Sequence, residues 1–226
     1  MLKIHKQAAP LRQQVLDILR KAIITGQLVP RQRLTERNLI EMMGVSRTVI
    51  REALRQLETE GLIEIIPNTG PVVRELTAAE AKDLYRIRAV LEGLAARLFV
   101  ENASKDQVKN LANALEVVIA AYKQGDAEQV LDTKNKFYDA LYQGANSESL
   151  GSMLATLHAR IWRWRALGLT HPKRSAVRSR ESVKNLQAIL AAIKKKAAEE
   201  AERITIEESH KAAEEVMRLL DMDSET

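Results

Sequence analysis

Cysteine is absent from this chain of 226 residues, which excludes disulfides, thiolate catalysis and cysteine-based zinc sites. No apolar run reaches membrane-spanning length, and Met1-Leu2-Lys3-Ile4-His5-Lys6 lacks the apolar core of a signal peptide, so a cytoplasmic location is expected. Internal repeats are absent too, and no nucleophile stands in a pattern with a paired acid and base. With 46% hydrophobic and 29% charged residues, the chain can hold two domains with cores of their own.

The formal net charge of +5 is unevenly spread. Residues 1–76 carry 12 Lys+Arg against 8 Asp+Glu, whereas residues 77–226 carry 23 against 22. The positive excess belongs to the first part, where attraction to phosphate is expected, with affinity falling steeply as salt rises.

Residues 34–70 are the most informative stretch. They read as two short helices joined by a glycine turn, then two strands around a loop. The first helix covers about Thr35–Met43, with Thr35 as its cap and Leu34, Leu39 and Met42 or Met43 inward. Gly44 makes the turn, Val45 plugs the core, and Ser46 caps the next helix. That helix buries Val49 or Ile50, Ala53, Leu54 and Leu57, leaving Arg47, Thr48, Arg51 and Arg55 outward. Gly61 ends it, and the β-rich runs Leu62–Ile66 and Pro71–Val73 flank Pro67-Asn68-Thr69-Gly70 as a small wing. Helix, turn, helix and wing with arginines on the second helix is the pattern of a DNA reader.

These residues resemble the GntR family of bacterial transcriptional regulators. The matching words are Gly26-Gln27-Leu28 with Pro30, Leu34-Thr35-Glu36, Gly44-Val45-Ser46-Arg47, Arg51-Glu52-Ala53-Leu54, Leu57, Glu60-Gly61-Leu62 and Gly70, spread over nearly all of residues 10–74. The resemblance implies DNA contacts by Arg37, Ser46, Arg47, Thr48, Arg51, Thr69 and Gly70, and a homodimer on a palindromic double-stranded operator. Two positions depart from the family pattern. Arg31 replaces a usual glycine after Pro30, where it either stiffens a loop or adds a phosphate contact, and Val49 replaces a frequent proline, which a helix's second turn tolerates.

Beyond Leu76 the strand signals vanish. Thr77–Glu80, Ser104–Gln107 and Asp126–Gln129 each open a helix with a capping pattern. Another helix follows Asn146-Ser147 through Arg160–Arg165 to a break at Gly168–Pro172, and two more cover about 175–195 and 198–220, with Lys194-Lys195-Lys196 as a solvated turn. The expected fold class is mainly α: a winged helix-turn-helix over residues 1–76 and an antiparallel helical bundle of about six helices over 77–226.

The second part resembles the effector-binding domain of the FadR-type branch of that family, an FCD-like domain, through Arg88-x-x-Leu91-Glu92-x-x-Ala95, Phe137-Tyr138-x-Ala140-Leu141 with Gly144-Ala145-Asn146, and Ala188-Ile189-x-x-Ala192-Ile193. Many members hold a divalent metal there with an aspartate and a histidine four residues apart and two later histidines. Lys134, Tyr138 and Leu186 stand at three of those positions, and His210 lies two residues off the fourth. No metal and no other cofactor is therefore expected, unless His158, His171 and His210 rebuild a site.

Periodicity points three polar groups inward: Arg88 with Leu84, Leu91, Ala95 and Leu98; Lys134 with Val130, Phe137 and Leu141; and His210 with Ile206, Ala213, Met217 and Leu220. A cation on an apolar stripe needs an anionic partner. Arg88 either pairs with a carboxylate such as Glu92 or binds a ligand. Lys134 either snorkels to solvent or supplies the positive charge that a metal supplies in relatives, so that a small carboxylate effector binds between Lys134, Arg88 and the Tyr138 hydroxyl. His210 is either a satisfied core histidine or a ligand contact. Trp162 and Trp164 face different directions, one into the core and the other toward a pocket or a subunit contact.

The reading that follows is a ligand-responsive, homodimeric transcriptional regulator, a repressor by family analogy and not an enzyme. Its rivals are an architectural DNA binder without a small ligand and a helical enzyme with an accessory DNA-binding module.

Overall fold

A computed structural model describes residues 8–24, 26–75 and 77–224. The chain divides into two compact units, Met1–Leu76 and Thr77–Thr226. The first comprises α1 (Ala8–Ile24), α2 (Glu36–Met43), α3 (Arg47–Thr59), β1 (Ile63–Ile66) and β2 (Gly70–Val73).

Local chemistry explains the turn between α2 and α3. The Thr35 hydroxyl accepts from the Asn38 amide, and Gly44 ends α2 at φ 63°, a left-handed conformation that glycine adopts without steric cost. Ser46 caps α3 by accepting from the Val49 amide at 3.4 Å. Val49, Ile50, Ala53, Leu54 and Leu57 are all buried, so the inward face of α3 holds both members of the Val49/Ile50 pair. Met43, half-buried, is the inward methionine, and Met42 is exposed; Val45 is half-buried against the same core.

Helix α1, which the motif-based reading leaves unassigned, supplies much of that core through Val15, Leu16, Leu19 and Ile23. It is also tied to the end of α3, since Arg20 donates to both Glu60 oxygens, at 2.7 and 3.0 Å. In the wing, β1 and β2 pair antiparallel with Ile63 opposite Val73 and Ile66 opposite Gly70. The segment before α2 joins the outer edge of β2, with Leu34 N–H donating to Pro71 O and Val73 N–H to Gln32 O.

The second unit consists of α4 (Ala78–Asn102), α5 (Lys105–Gln124), α6 (Ala127–Gly144), α7 (Glu148–Thr170), α8 (Ala176–Lys194) and α9 (Ala198–Ser224). Reciprocal capping boxes open α4 at Thr77/Glu80 and α5 at Ser104/Gln107; at α6 the Asp126 side chain accepts from Gln129 N–H. The bundle closes on Phe99, Leu111, Val118, Phe137, Leu141, Leu186 and Ile189. Helix α4 packs most extensively against α9 and also touches α6 and α7.

Helix α7 ends at Thr170 with His171 as its cap, inside the expected break over Gly168–Pro172, although Gly168 itself is still helical. A Cβ at Gly168 would come within 2.7 Å of Val216 Cγ2; glycine is there so that α7 can pass close to α9. Among the described residues, no helix is long and apolar enough to cross a membrane.

Candidate DNA-contacting face and candidate effector cavity

The outward face of α3 carries Arg47, Thr48, Arg51 and Arg55, all exposed. Because the Ser46 oxygen accepts the Val49 amide, its hydroxyl proton stays free, and the first N–H groups of α3 point out of the helix as donors for an anion. Arg51 and Arg47 approach the same carboxylate, Glu36 on α2, at 3.2 and 3.8 Å. Arg37, exposed at the start of α2, pairs with Glu41 at 2.9 Å. At the wing tip Thr69 N–H closes the turn onto Ile66 O, and Asn68 and Gly70 have φ of 64° and 88°. Arg31, at the position the family gives to glycine, holds φ 62°. Its guanidinium pairs with Glu75 at 2.5 Å.

In the second unit the inward cations have internal partners. Arg88 Nε lies 2.9 Å from Glu92 Oε1, with both side chains buried. Glu92 also accepts from the Tyr142 and Ser209 hydroxyls, and His158 Nε2 lies 3.2 Å away. Arg165 Nη1 faces the other ring nitrogen, His158 Nδ1, at 3.2 Å. A guanidinium only donates, so Nδ1 is the acceptor and the neutral ring carries its proton on Nε2, toward Glu92. Burial and the Arg165 charge push the His158 pKa down to about 4, consistent with that neutral form. Burial alone would raise Glu92, but Arg88 and His158 hold it well below the usual carboxylate range.

Lys134 does not snorkel. It is buried, donating to Ser182 Oγ at 2.7 Å and to Glu208 Oε1 at 3.2 Å. Glu208 further accepts from Ser182 and Asn185 and pairs with Arg178 at 3.0 Å. The two partners respond oppositely to burial. Glu208, faced by two cations and a hydroxyl, is held down at about 2 despite desolvation. Lys134 is pushed below its ordinary value, because desolvation and the Arg174 and Arg178 charges outweigh what Tyr122 and Glu208 restore.

Arg88 and Lys134 line one cavity together with Arg165, Arg174 and Arg178. Tyr138 is buried behind it, and its ring lies 5.6 Å from the Arg88 guanidinium and 5.5 Å from that of Arg165. Each guanidinium near the ring is worth about 0.5–2 kcal/mol in cation–π attraction; the Tyr138 hydroxyl itself is buried without a hydrogen-bond partner among the described residues. His210 is the clear correction. It is exposed and opens into a separate groove beside Lys82 and Arg86. The face of α9 that turns inward carries Thr205, Glu208 and Ser209 beside Ile204, Val216 and Leu219, while Ile206, Ala213, Met217 and Leu220 are only half-buried. Apolar periodicity selects the wrong face because the true one is polar.

Arg165, Arg174, Arg178, Ser182 and Glu208 join the expected Arg88 and Lys134 around this interior. Arg178 and Ser182 stand one turn apart on α8, with Leu186 one turn further, so the stripe through the expected histidine position was the available signal. Trp164 is buried, and Trp162 borders a groove between α6 and α7 outside the cavity. Lysine, tyrosine and leucine at the family's metal positions do not fit a divalent ion. Among the described residues no group of three His, Asp or Glu side chains could hold one, and His158, His171 and His210 do not form one.

Residues 11–73 match the description "Bacterial regulatory proteins, gntR family", and residues 83–208 match "FCD domain". The HTH-type transcriptional regulator McbR of Escherichia coli (strain K12) is 31% identical over 183 residues, which cover 81% of this chain and 82% of McbR. The HTH-type transcriptional regulator YdhC of Bacillus subtilis (strain 168) is 29% identical over 213 residues, covering 94% of this chain and 93% of YdhC. The solved structure of E. coli McbR/YncC matches with a TM-score of 0.78 at 28% identity, across 98% of this chain and 99% of that one. These relatives are transcriptional regulators, not enzymes, and the chain belongs to the gntR family of bacterial regulatory proteins, with an FCD domain as its second part.

Proposed function

We propose that this regulator binds a palindromic operator as a homodimer in the cytoplasm, represses the genes behind it, and responds to a small anionic effector in the cavity of its second unit. The observation that carries the DNA-reading half is the exposed row Arg47, Thr48 and Arg51 on a helix whose opposite face is fully committed to the core. Arginine suits bidentate contact with guanine, while the Ser46 hydroxyl and the α3 N-terminus suit phosphate. Arg37 and the wing tip at Thr69-Gly70 would follow the backbone on either side.

Dimerisation is supported by an apolar stripe on α4: Ile87, Val90 and Leu94 are 45%, 63% and 38% exposed and stand three and four residues apart. The effector acts by linkage. Whatever it gains by binding one arrangement of the dimer over another appears as a change in operator affinity.

Selection of bound sequences from a random DNA pool tests the reading. The expected result is a palindrome whose half-sites change when Arg47 or Arg51 is replaced. Recovery of no sequence preference by folded dimeric protein would sink the operator reading in favour of an architectural role.

A further inference from the structure

Five cationic side chains, Arg88, Lys134, Arg165, Arg174 and Arg178, face one cavity. Four of them are buried, with Arg174 half-buried, and arginine cannot shed its charge. Two interior carboxylates answer them: Glu92 at Arg88, and Glu208 at Lys134 and Arg178. Glu215 acts on Arg174 at longer range but is already paired with Arg218 at 2.9 Å and accepts from the Ser175 amide. Asp139 acts on Arg165 from the exposed side of α6. Even with Asp139 counted in full, two of these cations lack a counter-charge among the described residues.

Donors are left over as well. Arg178 Nε and Nη2 are engaged by Lys211 O and Glu208, and Arg165 Nη1 by His158, yet Arg178 Nη1 and Arg165 Nη2 are buried with no partner among the described residues. Unmet N–H groups on buried cations are costly, and an acceptor that also carries charge removes both costs at once. The free volume, taken for the centre of a water-sized sphere, is about 20 Å³, room for one or two waters or one compact oxyanion and less than a carbon-chain dicarboxylate needs.

We infer that this cavity is a metal-free site for a doubly charged tetrahedral oxyanion, the phosphoryl group of inorganic phosphate or of a phosphate monoester, held by Arg165, Arg174, Arg178 and Lys134. The inference rests on the effector reading above and narrows its chemistry. The cationic groups reach the cavity from four places: Lys134 from α6, Arg165 from α7, Arg178 from α8 and Arg174 from the turn between α7 and α8, where Arg174 also donates to Gly168 O and, at 3.0 Å, to Ser179 Oγ. A carboxylate offers two oxygens in one plane and a single charge; a phosphoryl group offers three outer oxygens and two charges. The depressed Lys134 is relieved by the same ligand, since a dianion beside it offsets the repulsion from Arg174 and Arg178.

Titration calorimetry on the full-length protein, in chelator at constant ionic strength, tests this. Its arms are inorganic phosphate, glucose 6-phosphate, sulfate, acetate and malonate. One phosphate or phosphate monoester per chain should bind at least ten-fold more tightly than acetate or malonate, and the tighter of the two phosphate arms names the source. Arg178→Lys and Arg165→Gln should each weaken that binding at least ten-fold; Arg174→Gln, at the half-buried edge, should do so as well, even where a deeper variant fails to fold. Tighter binding of malonate, or no binding of either phosphate arm by folded protein, overturns the site. Phosphate binding that leaves operator affinity unchanged upholds the site and sinks the effector reading, whereas an operator response to carboxylates alone upholds the effector reading and sinks the site.

Discussion

The Lys134 ammonium lies 3.2 Å from the Glu208 carboxylate, with both side chains buried. The pair is asymmetric, because Glu208 keeps Arg178, Ser182 and Asn185 when Lys134 is removed, whereas Lys134 without Glu208 keeps the Ser182 hydroxyl and Tyr122 against the like charges of Arg174 and Arg178. Glu208→Gln should therefore destabilise the second unit by about 3–5 kcal/mol, the cost of an uncompensated buried charge. Lys134→Met should cost less, about 1–3 kcal/mol. Urea unfolding of both variants checks the order; equal losses would mean that the carboxylate has no larger role than its partner.

The same interior makes stability depend on pH. The His158 pKa is depressed from 6.5 to about 4, so between those values the unfolded chain binds a proton that the folded chain refuses, and stability falls as pH falls across that window. Glu208, lowered from 4.5 to about 2, contributes stability that is present above 4.5 and is lost as pH drops through 2. Unfolding midpoints measured from pH 7.5 down to 3.5 should decline once the pH passes below about 6.5, and His158→Gln should flatten the decline between 6.5 and 4 while leaving the further loss below 4.5. A wild-type midpoint that is flat from 6.5 to 4 would show that His158 is not held neutral.

What could be read from the chain in advance is what neighbouring residues decide. Gly44, Ser46 and the Thr77/Glu80 box act over three or four residues, and each appears in its expected place. The close approach of Gly168 to α9 is not legible there, because it depends on Val216, nearly fifty positions away. The cavity was harder still. Its walls come from five elements, and the inward face of α9 is marked by Glu208 and Ser209, residues whose burial is favourable only because cations from α6 and α8, and the Glu92 network, meet them. No periodicity along α9 alone encodes that, which is why His210 and its half-apolar stripe were preferred.

On the DNA-contacting face, Arg47 and Arg51 share Glu36. Either arginine replaced by alanine should cost about 1–3 kcal/mol in operator binding and relax preference at one position of each half-site. Glu36→Gln should act differently, raising affinity for unrelated DNA more than for the operator, because it removes a negative charge that holds both guanidinia and opposes phosphate. Competition binding against nonspecific duplex separates the two effects; retained discrimination in both arginine variants would remove them from base reading.

Purified without exposure to a metal-affinity column, the protein should carry far less than one equivalent of zinc or nickel per chain, since a lysine, a tyrosine and a leucine occupy the positions where relatives place ligands. Elemental analysis decides this directly. A stoichiometric metal lost on His210→Ala would reveal a site assembled from the exposed side of α9.

Arg31 holds φ 62° where a glycine would be unstrained, and its exposed pair with Glu75 offsets little of that, about 0–1 kcal/mol for a surface ion pair. A non-glycine residue in the left-handed region costs about 1 kcal/mol or more, against which glycine's greater unfolded-state freedom returns about 0.5–1 kcal/mol. Arg31→Gly should therefore leave the first unit as stable as before or more stable by up to about 1 kcal/mol, while Arg31→Ala, which keeps the strain and loses the pair, should be the least stable of the three. The same variants decide what the arginine is for. If it contacts phosphate, Arg31→Gly should lower the slope of log affinity against log salt by about one. If it is held by Glu75 away from the duplex, the slope should not move, and only the thermal midpoint should change.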